Sequence, residues 1–179
     1  MSTRSDFKAV KFFCGLIFGH DRSAAQAVDM LQAAVAAVES RSPVIPFTAT
    51  DYYKPEMGEP LFRQFVSFQG LLPPERLPGI KIAAMGLEAR LAENDRRRVN
   101  LDPGYLSDAN VIVATAKNHY HRVPLRDGIY AHLEYVLKDG RLNFLPWTYP
   151  DFQSEPYRDF FTLLLESFKR DRRKLAEKR

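Results

Sequence analysis

The sequence predicts an α+β fold, with a ferredoxin-like βαββαβ core extended by a C-terminal antiparallel β-meander and a final helix. Three observations lead to this prediction. Residues 8–115 alternate apolar segments typical of strands with amphipathic segments typical of helices. Two Asp-Gly pairs each lie between extended segments, as in tight hairpins. Residues 156–174 repeat apolar side chains at helical spacing.

The first strand is expected at about residues 8–18, where bulky apolar side chains end at a Gly-His-Asp turn. The stretch loosely resembles the apolar part of a signal peptide, but its aromatic content favours a buried strand. Ser23 is expected to cap the helix that follows, with Gln26 as the reciprocal partner of a capping box. The apolar stripe of this helix is predicted to consist of Val28, Leu31, Val35 and Val38.

Two more strands are expected at about 44–53 and 61–70, joined by an ordered loop. A second helix begins at 74–77, is interrupted by Pro78-Gly79 and resumes until about residue 94. A fourth strand includes residues 111–115, and the preceding segment 100–104 is interpreted as a polar turn. The final helix is expected to bury Phe161, Leu164, Leu165 and Phe168.

Composition and charge indicate one globular domain, residues 1–179, with 45% apolar and 27% charged side chains. A single cysteine, Cys14, favours a reducing, cytoplasmic compartment. The last eleven residues carry seven basic and two acidic side chains, a net +5 against +4 for the whole chain. We expect this basic tail, 169–179, to fray in solvent. No segment approaches the roughly 20 apolar residues of a membrane span, so no membrane partner is expected.

The two Asp-Gly turns fix the register of two hairpins. A two-residue turn at Asp127-Gly128 sets Val123 against His132 and His121 against Glu134. The turn at Asp139-Gly140 likewise sets Tyr135 against Phe144 and Leu137 against Leu142.

Since side chains alternate between the two faces of a strand, one face of this meander is predicted to be apolar and the other polar. The polar face collects His119, His121, His132 and Glu134. Imidazole and carboxylate groups are the usual ligands of a divalent metal. The same groups also serve as an acid/base set near neutral pH, or form ordinary cross-strand pairs on a half-exposed sheet. Spacing alone leaves all three interpretations open.

Four motifs resemble a known family: Thr50-Asp-Tyr-Tyr-Lys-Pro-Glu-Met-Gly58, Val99-Asn-Leu-Asp-Pro-Gly-Tyr-Leu106, Ala114-Thr-Ala-Lys117 with His121-Arg122, and Trp147-Thr-Tyr-Pro-Asp151. The chain is similar to the bacterial and archaeal family catalogued as domain of unknown function 4416, from its first strand to its last helix. That family has no established activity. Some members are labelled GTP-binding protein, yet this chain lacks the G-x-x-x-x-G-K-[ST] loop that cradles nucleotide phosphates. Members mostly carry Glu at the position of His132, which leaves the role of that position open.

The motif residues predict a site for an anion. Lys117 and Arg122 are the expected cations, while Asp102, His121 and Glu134 are the expected bases or metal ligands. The alternative for Asp102 is a structural role within a local turn. The rest of the expected ligand-binding set consists of Asn100, Tyr149, Asp151, Glu56 and Tyr53, whose tyrosines either stack on a base or sugar or pack in the core.

We therefore expect a cytoplasmic protein that binds a small anionic, phosphorylated or nucleotide-like ligand, with a divalent metal as one option. If it is an enzyme, the residue types favour a hydrolase or transferase acting on a phosphorylated substrate. The alternatives are an RNA-binding module attracted through the basic tail and a structural or interaction module without catalysis. The sequence does not indicate the oligomeric state.

Overall fold

The computed structural model describes residue 3 and residues 5–177. Its strands are β1 (Lys11–Phe18), β2 (Val38–Arg41), β3 (Ile45–Pro46), β4 (Phe62–Phe68), β5 (Val99–Leu106), β6 (Asn110–Thr115), β7 (Val123–Pro124), β8 (Tyr130–Lys138) and β9 (Arg141–Phe144). Its helices are α1 (Asp21–Ala34), α2 (Lys54–Met57), α3 (Leu77–Arg90) and α4 (Glu155–Glu177). All strands join one antiparallel sheet in the order β2-β4-β1-β5-β6-β8-β7, with β3 beside β4 and β9 beside β8.

The central strand, β1, is buried along its whole length because helices cover both faces of the sheet. Its even-numbered side chains, Phe12 to Phe18, pack with those of α1 and α3. On the other face Phe13 packs with the aromatic side chains of α4. A strand that is covered on both faces has a continuous run of apolar residues in its sequence. This explains the composition of the first strand and confirms its prediction.

The α+β class, the antiparallel sheet and the C-terminal helix are as predicted. The strands expected within 61–70 and 111–115 are β4 and β6. The four apolar residues expected on the inner side of the final helix are all buried. No described helix is both long and apolar enough to cross a membrane.

The segment after β1 differs from the prediction in three ways. Ser23 does not cap α1, because the helix starts earlier and its N-cap position is His20, which makes no side-chain cap bond. Val38 is not on the helix stripe, because α1 ends at Ala34 and Val38 begins β2. The strand expected at 44–53 is reduced to β3, where Pro46 restricts pairing to a sheet edge.

Two segments with prolines fold more regularly than expected. Pro78 does not interrupt α3, because it lies in the first turn, where its missing N–H breaks no helical hydrogen bond. The predicted polar turn at 100–104 is wrong: these residues belong to β5, which pairs with β1 along its whole length. Pro103 is tolerated because β5 pairs with β6 only from Gly104 to Leu106. Asn100 and Asp102 therefore project from the sheet itself.

Where β5 separates from β6, side chains of α3 replace the missing strand partner. The Leu101 N–H donates to Glu88 Oε1 over 2.7 Å, and Lys81 Nζ donates to the Leu101 carbonyl over 2.6 Å. Buried backbone groups need such partners, since an unpaired one costs about 1–3 kcal/mol. These α3 side chains thus satisfy the backbone of Leu101 beyond the end of the β5–β6 pairing.

The two Asp-Gly hairpins differ in how well their register was predicted. Tyr135 lies opposite Phe144, as expected. In the first hairpin Val123 lies opposite Ala131 rather than His132, so that register is wrong by one residue. The Leu125 N–H bonds to the Ile129 carbonyl, which leaves three residues in the loop instead of two.

The C-terminal helix α4 continues through Glu177, and residues 178 and 179 lie outside the described residues. Lys11 is fully buried beneath this helix, with its Nζ 2.6 Å from Asp171 Oδ2 and 2.8 Å from Glu39 Oε2. Arg170 pairs with the other oxygen of Glu39 at 3.2 Å. These contacts hold the part of the basic tail nearest the sheet against β1 and β2.

The junction of β5 and β6 predicts a strong effect of Gly104→Ala. An added Cβ would collide with the Ile112 carbonyl oxygen and lie 2.6 Å from the Phe13 ring. We expect the free energy of unfolding to fall by roughly 2–4 kcal/mol, measured by urea denaturation. Gly86→Ala is the matched control, because its Cβ meets nothing within 4 Å on α3; it should raise stability by about 0.5–1 kcal/mol. Equal stabilities of the two variants would contradict this account of the junction.

Candidate functional site

The predicted site residues gather near one edge of the sheet, where β1 and β6 end and β4, β5 and β8 begin. Phe18 at the end of β1 lies opposite both Phe62 and Val99, and Thr115 lies opposite Tyr130. Two groups of polar side chains occur there. The histidine cluster comprises Lys117, His119, His121, Arg122, His132, Glu134 and Tyr149. The arginine–carboxylate network comprises Glu56, Arg63, Lys81, Glu88, Arg97, Asn100, Asp102 and Asp151.

The histidine cluster is a chain of ring-to-ring contacts that runs from the surface into the sheet. His119 Nδ1 lies 2.9 Å from His121 Nδ1, and His121 Nε2 lies 3.2 Å from His132 Nδ1. Arg122 Nε also donates to His132 Nδ1, over 3.2 Å. Because an arginine cannot accept a hydrogen bond, Nδ1 of His132 is the acceptor and a neutral His132 carries its hydrogen on Nε2. That nitrogen lies 3.2 Å from Glu134 Oε1.

The segment 147–149 holds this chain of rings in place. Trp147 stacks on His121 with the ring centroids 5.3 Å apart, and Tyr149 stacks on His132 at 4.6 Å. The Tyr149 N–H donates to Glu134 Oε2 over 3.1 Å, and its hydroxyl accepts from Arg122 over 2.7 Å. Tyr149 therefore touches both the buried carboxyl group and the surface cation of the cluster.

Burial keeps the inner pair of the cluster uncharged near neutral pH. Burial raises the pKa of Glu134 to about 8. Burial, together with the nearby Arg122 charge, lowers the pKa of His132 to about 4. Within the described residues, neither His132 Nε2 nor Glu134 Oε1 makes a well-directed hydrogen bond, although the two atoms face each other. With both groups uncharged, the pair holds two exchangeable hydrogens, one on His132 Nε2 and one on the Glu134 carboxyl group.

The outer part of the cluster is positively charged and accessible. Lys117 is exposed, with its Nζ 3.9 Å from the centroid of the Tyr52 ring, and its carbonyl accepts from Arg122 over 2.8 Å. Neither cation pairs with a carboxylate in the described part of the chain. His119 is exposed, and the neighbouring Tyr120 is 85% exposed. This surface therefore presents cations without counter-charges.

The predicted metal ligands His119, His121, His132 and Glu134 do come together, but as a hydrogen-bonded chain. The ring nitrogens of the histidines face one another instead of a common point. Over residues 5–177, no group of three or more His, Cys, Asp or Glu side chains has the arrangement needed to hold a metal ion.

Asp102 lies in the arginine–carboxylate network and not in the histidine cluster. It accepts hydrogen bonds from Arg63 over 3.1 Å and from Asn100 over 2.9 Å, and Lys81 Nζ lies 3.6 Å away. Burial works to raise its pKa, but the charges of Lys81 and Arg63 outweigh burial and lower it. A carboxylate so firmly ionised and occupied is better suited to a counter-ion than to the general base that the sequence suggested.

Arg63 is the residue that the sequence interpretation missed. Its guanidinium is buried, 4.9 Å from the centroid of the Phe65 ring, and one nitrogen lies 4.0 Å from Asp151. Burial raises the pKa of Asp151, and the Arg63 charge only partly offsets this. The available signal was an arginine inside an apolar strand, since such a charge is buried only when it is paired.

Of the remaining predicted ligand-binding residues, Glu56 and Asn100 accept hydrogen bonds from Arg97. Glu56 Oε2 accepts from Arg97 over 2.7 Å, and Asn100 Oδ1 accepts from it over 2.8 Å. Tyr53 packs on Phe47, with the ring centroids 6.0 Å apart. The network thus neutralises its own cations, in contrast to the histidine cluster.

Residues 8–168 match the family described as Domain of unknown function (DUF4416), so the chain belongs to this family. The resemblance carried by the four motifs is confirmed. No curated protein and no solved structure is significantly similar to the chain. All four motifs contribute side chains to the two groups at this edge of the sheet, but membership itself assigns no activity.

The raised pKa of Glu134 predicts a pH-dependent contribution to stability. Between its ordinary value of 4.5 and about 8, the folded protein holds a proton that the unfolded chain releases. The contribution of Glu134 therefore falls as pH rises through this window, by at most about 1.4 kcal/mol per pH unit. Glu134→Gln removes the titration, so its melting temperature relative to the wild type should increase from about pH 6 to about pH 8.

The control for this comparison is Glu166→Gln, at an exposed position of α4. Its melting temperature should stay at a constant offset from the wild type over the same pH range. A constant offset for Glu134→Gln as well would show that the Glu134 carboxyl group titrates normally.

Proposed function

We propose that the protein binds a phosphorylated small molecule, with the phosphate held at the outer part of the histidine cluster. The observation that carries this proposal is Arg122, which contacts the ring of His132 and the carbonyl of the exposed Lys117, while neither cation has a carboxylate partner in the described chain. Elsewhere at this edge Arg63 and Arg97 are paired with carboxylates. A compact anion is the group that this charge distribution would stabilise.

Arg122 is held in an orientation suited to an anion. Three neutral acceptors position its guanidinium: His132 Nδ1, the Lys117 carbonyl and the Tyr149 hydroxyl. These bonds use three of its five N–H donors, which leaves two for a ligand. None of the three acceptors cancels its charge. The positioning is therefore achieved without the neutralisation that a carboxylate would bring.

The chemistry of the cluster supports a phosphoester hydrolase or transferase. An imidazole at its exposed end, His119 or His121, is accessible to a ligand and is connected by ring contacts to the buried His132–Glu134 pair. General acid–base transfer requires groups that exchange protons near the working pH. The perturbed pKa values of His132 and Glu134 are of the kind found at functional sites.

A small ligand is favoured over RNA by the way the basic tail is used. Arg170 pairs with Glu39 and Arg172 with Asp108, so part of the tail's charge is neutralised within the protein. An RNA-binding arm would keep its cations free for phosphates.

The strand order supports, as part of this proposal, a ferredoxin-like core whose fourth strand is β5 and not the strand at 111–115 that the sequence predicted. β2, β4, β1 and β5 are neighbours in that order, with antiparallel pairing throughout. The side chains of α1 and α3 share one apolar cluster with one face of β1. The proposed anion site then lies where the added meander joins this core.

The anion proposal is tested by titrating the protein with inorganic phosphate. Trp147 is the only tryptophan, and its ring stacks on His121, so its fluorescence reports on the cluster. Arg122→Ala should weaken phosphate binding at least about tenfold, which corresponds to about 1.4 kcal/mol. Lys117→Ala should weaken it by roughly threefold, as expected for a more exposed cation. Arg126→Ala, at an exposed arginine paired with Asp127, is the matched control and should bind as the wild type does.

Equal phosphate affinity in all four proteins, with unchanged melting temperatures, would overturn the proposal. RNA binding would be indicated instead if phosphate failed to bind while mixed-sequence RNA bound with a steep salt dependence. Deletion of residues 169–179 should then flatten that dependence.

A further inference from the structure

A second concave feature lies next to the histidine cluster. It is a pocket of about 490 Å³ between β3 with the loop that follows it and the start of α4. Its lining includes Ile45, Phe47, Pro150, Asp151, Ser154 and Tyr157. We call it the Asp151 pocket. Its volume falls within the range of pockets that bind small molecules, roughly 300–1,000 Å³.

The walls of the Asp151 pocket suit a planar ring. Phe47 and Tyr157, which are largely buried, contribute aromatic residues to the lining, and Ile45 and three prolines are further apolar lining residues. The Arg63 guanidinium carbon lies 5.9 Å from the Phe47 centroid and 5.8 Å from the Tyr157 centroid. A flat heteroaromatic group gains both apolar burial and aromatic contact in such a space.

Asp151 is the one charged residue in the lining of this pocket. Its closest cation, the Arg63 guanidinium, is 4.0 Å away, which is beyond hydrogen-bond distance. No side chain in the described part of the chain donates a hydrogen bond to the Asp151 carboxylate, whose described donors are the backbone N–H groups of Asp151 and Phe152. An ionised carboxylate only accepts hydrogen bonds. The complementary ligand group is therefore an N–H donor.

The pocket and the anion site share a wall. Tyr149 binds Arg122 through its hydroxyl, over 2.7 Å, while Pro150 and Asp151 line the pocket. These three residues are consecutive, and adjacent Cα atoms are about 3.8 Å apart. The segment 149–151 therefore contributes to both the proposed anion site and the pocket, so one ligand bound along this segment would contact both.

We propose that the Asp151 pocket holds the ring of the ligand whose phosphate binds at the histidine cluster, and that Asp151 accepts a hydrogen bond from an amino or ring N–H group. This inference rests on the proposed function and narrows the ligand to a nucleotide-like phosphate ester. A ring without donors makes no hydrogen bond to the Asp151 carboxylate and is disfavoured, because a site built around a hydrogen bond discriminates against analogues that lack the bonding group.

The test compares four probes by Trp147 fluorescence: inorganic phosphate, ribose 5-phosphate, purine riboside 5′-monophosphate and adenosine 5′-monophosphate. The last two differ only by the amino group. We expect ribose 5-phosphate to bind about as well as phosphate, the purine ring to tighten binding roughly tenfold, and the amino group to tighten it about fivefold more.

Variants separate the ring from its amino group. Asp151→Ala should abolish the preference for adenosine monophosphate over purine riboside monophosphate, a ratio measured within the one variant and therefore independent of any change in its affinity for phosphate. Asp151→Asn keeps the side-chain volume and should reduce the same preference to within about twofold, since it replaces a charged acceptor by a neutral one. Phe47→Leu should weaken both ring-bearing probes alike. Ser154→Ala, in the same lining, is the matched control and should change none of these ratios.

The outcomes distinguish this inference from the proposed function. If the wild type binds all four probes equally and loses phosphate binding in Arg122→Ala, the pocket inference is overturned and the anion site stands. If inorganic phosphate does not bind at all, the proposed function fails, and titration with adenosine monitored by calorimetry decides the pocket. Adenosine binding that is lost in Asp151→Ala would support the pocket, and no adenosine binding would overturn it.

Discussion

The buried guanidinium of Arg63 is the interaction on which the arrangement of this edge of the sheet depends. It projects from β4 and is 3% exposed, between Asp102 of β5 and Asp151 after the meander. Desolvating such a charge costs several kcal/mol, which only close counter-charges offset, and removing one partner leaves the other uncompensated. Arg63 therefore ties the start of β5 to the segment that follows the meander. That segment carries Tyr149, which orients both Glu134 and Arg122.

The two groups of side chains differ in whether their cations are balanced by carboxylates. In the arginine–carboxylate network each cation pairs with at least one carboxylate. The network therefore positions side chains and adds little net electrostatic field. In the histidine cluster Arg122 is positioned by neutral acceptors and keeps its charge available. The arginine–carboxylate network thus supports a histidine cluster whose positive charge faces the surface of the protein. A preorganised cation beside a rigid support is the usual basis of anion recognition.

How far the sequence predicted this structure depended on the range of the interactions involved. The register at Asp139-Gly140 was predicted because a local turn decides it, and His132 and Glu134 share a face because strand side chains alternate. The strand β5 was missed because Pro103-Gly104 is a turn signal, and the proline is accepted there because the β5–β6 pairing ends at Gly104. Arg63 was missed because its partners lie 39 and 88 positions away, and no local pattern announces them.

The distribution of charge along the chain changes what its net positive charge implies about binding partners. The net charge of +4 suggests attraction to polyanions, yet α4 directs Asp171 onto the buried Lys11 and sets Arg170 and Arg172 against Glu39 and Asp108. Part of the helix charge is thereby used for holding α4 on the sheet. Lys117 and Arg122 belong to a body that is close to neutral, and they contribute less to the total than the tail does. The anion specificity that we propose for them rests on both being unneutralised in the described chain and on Arg122 being held by three neutral acceptors.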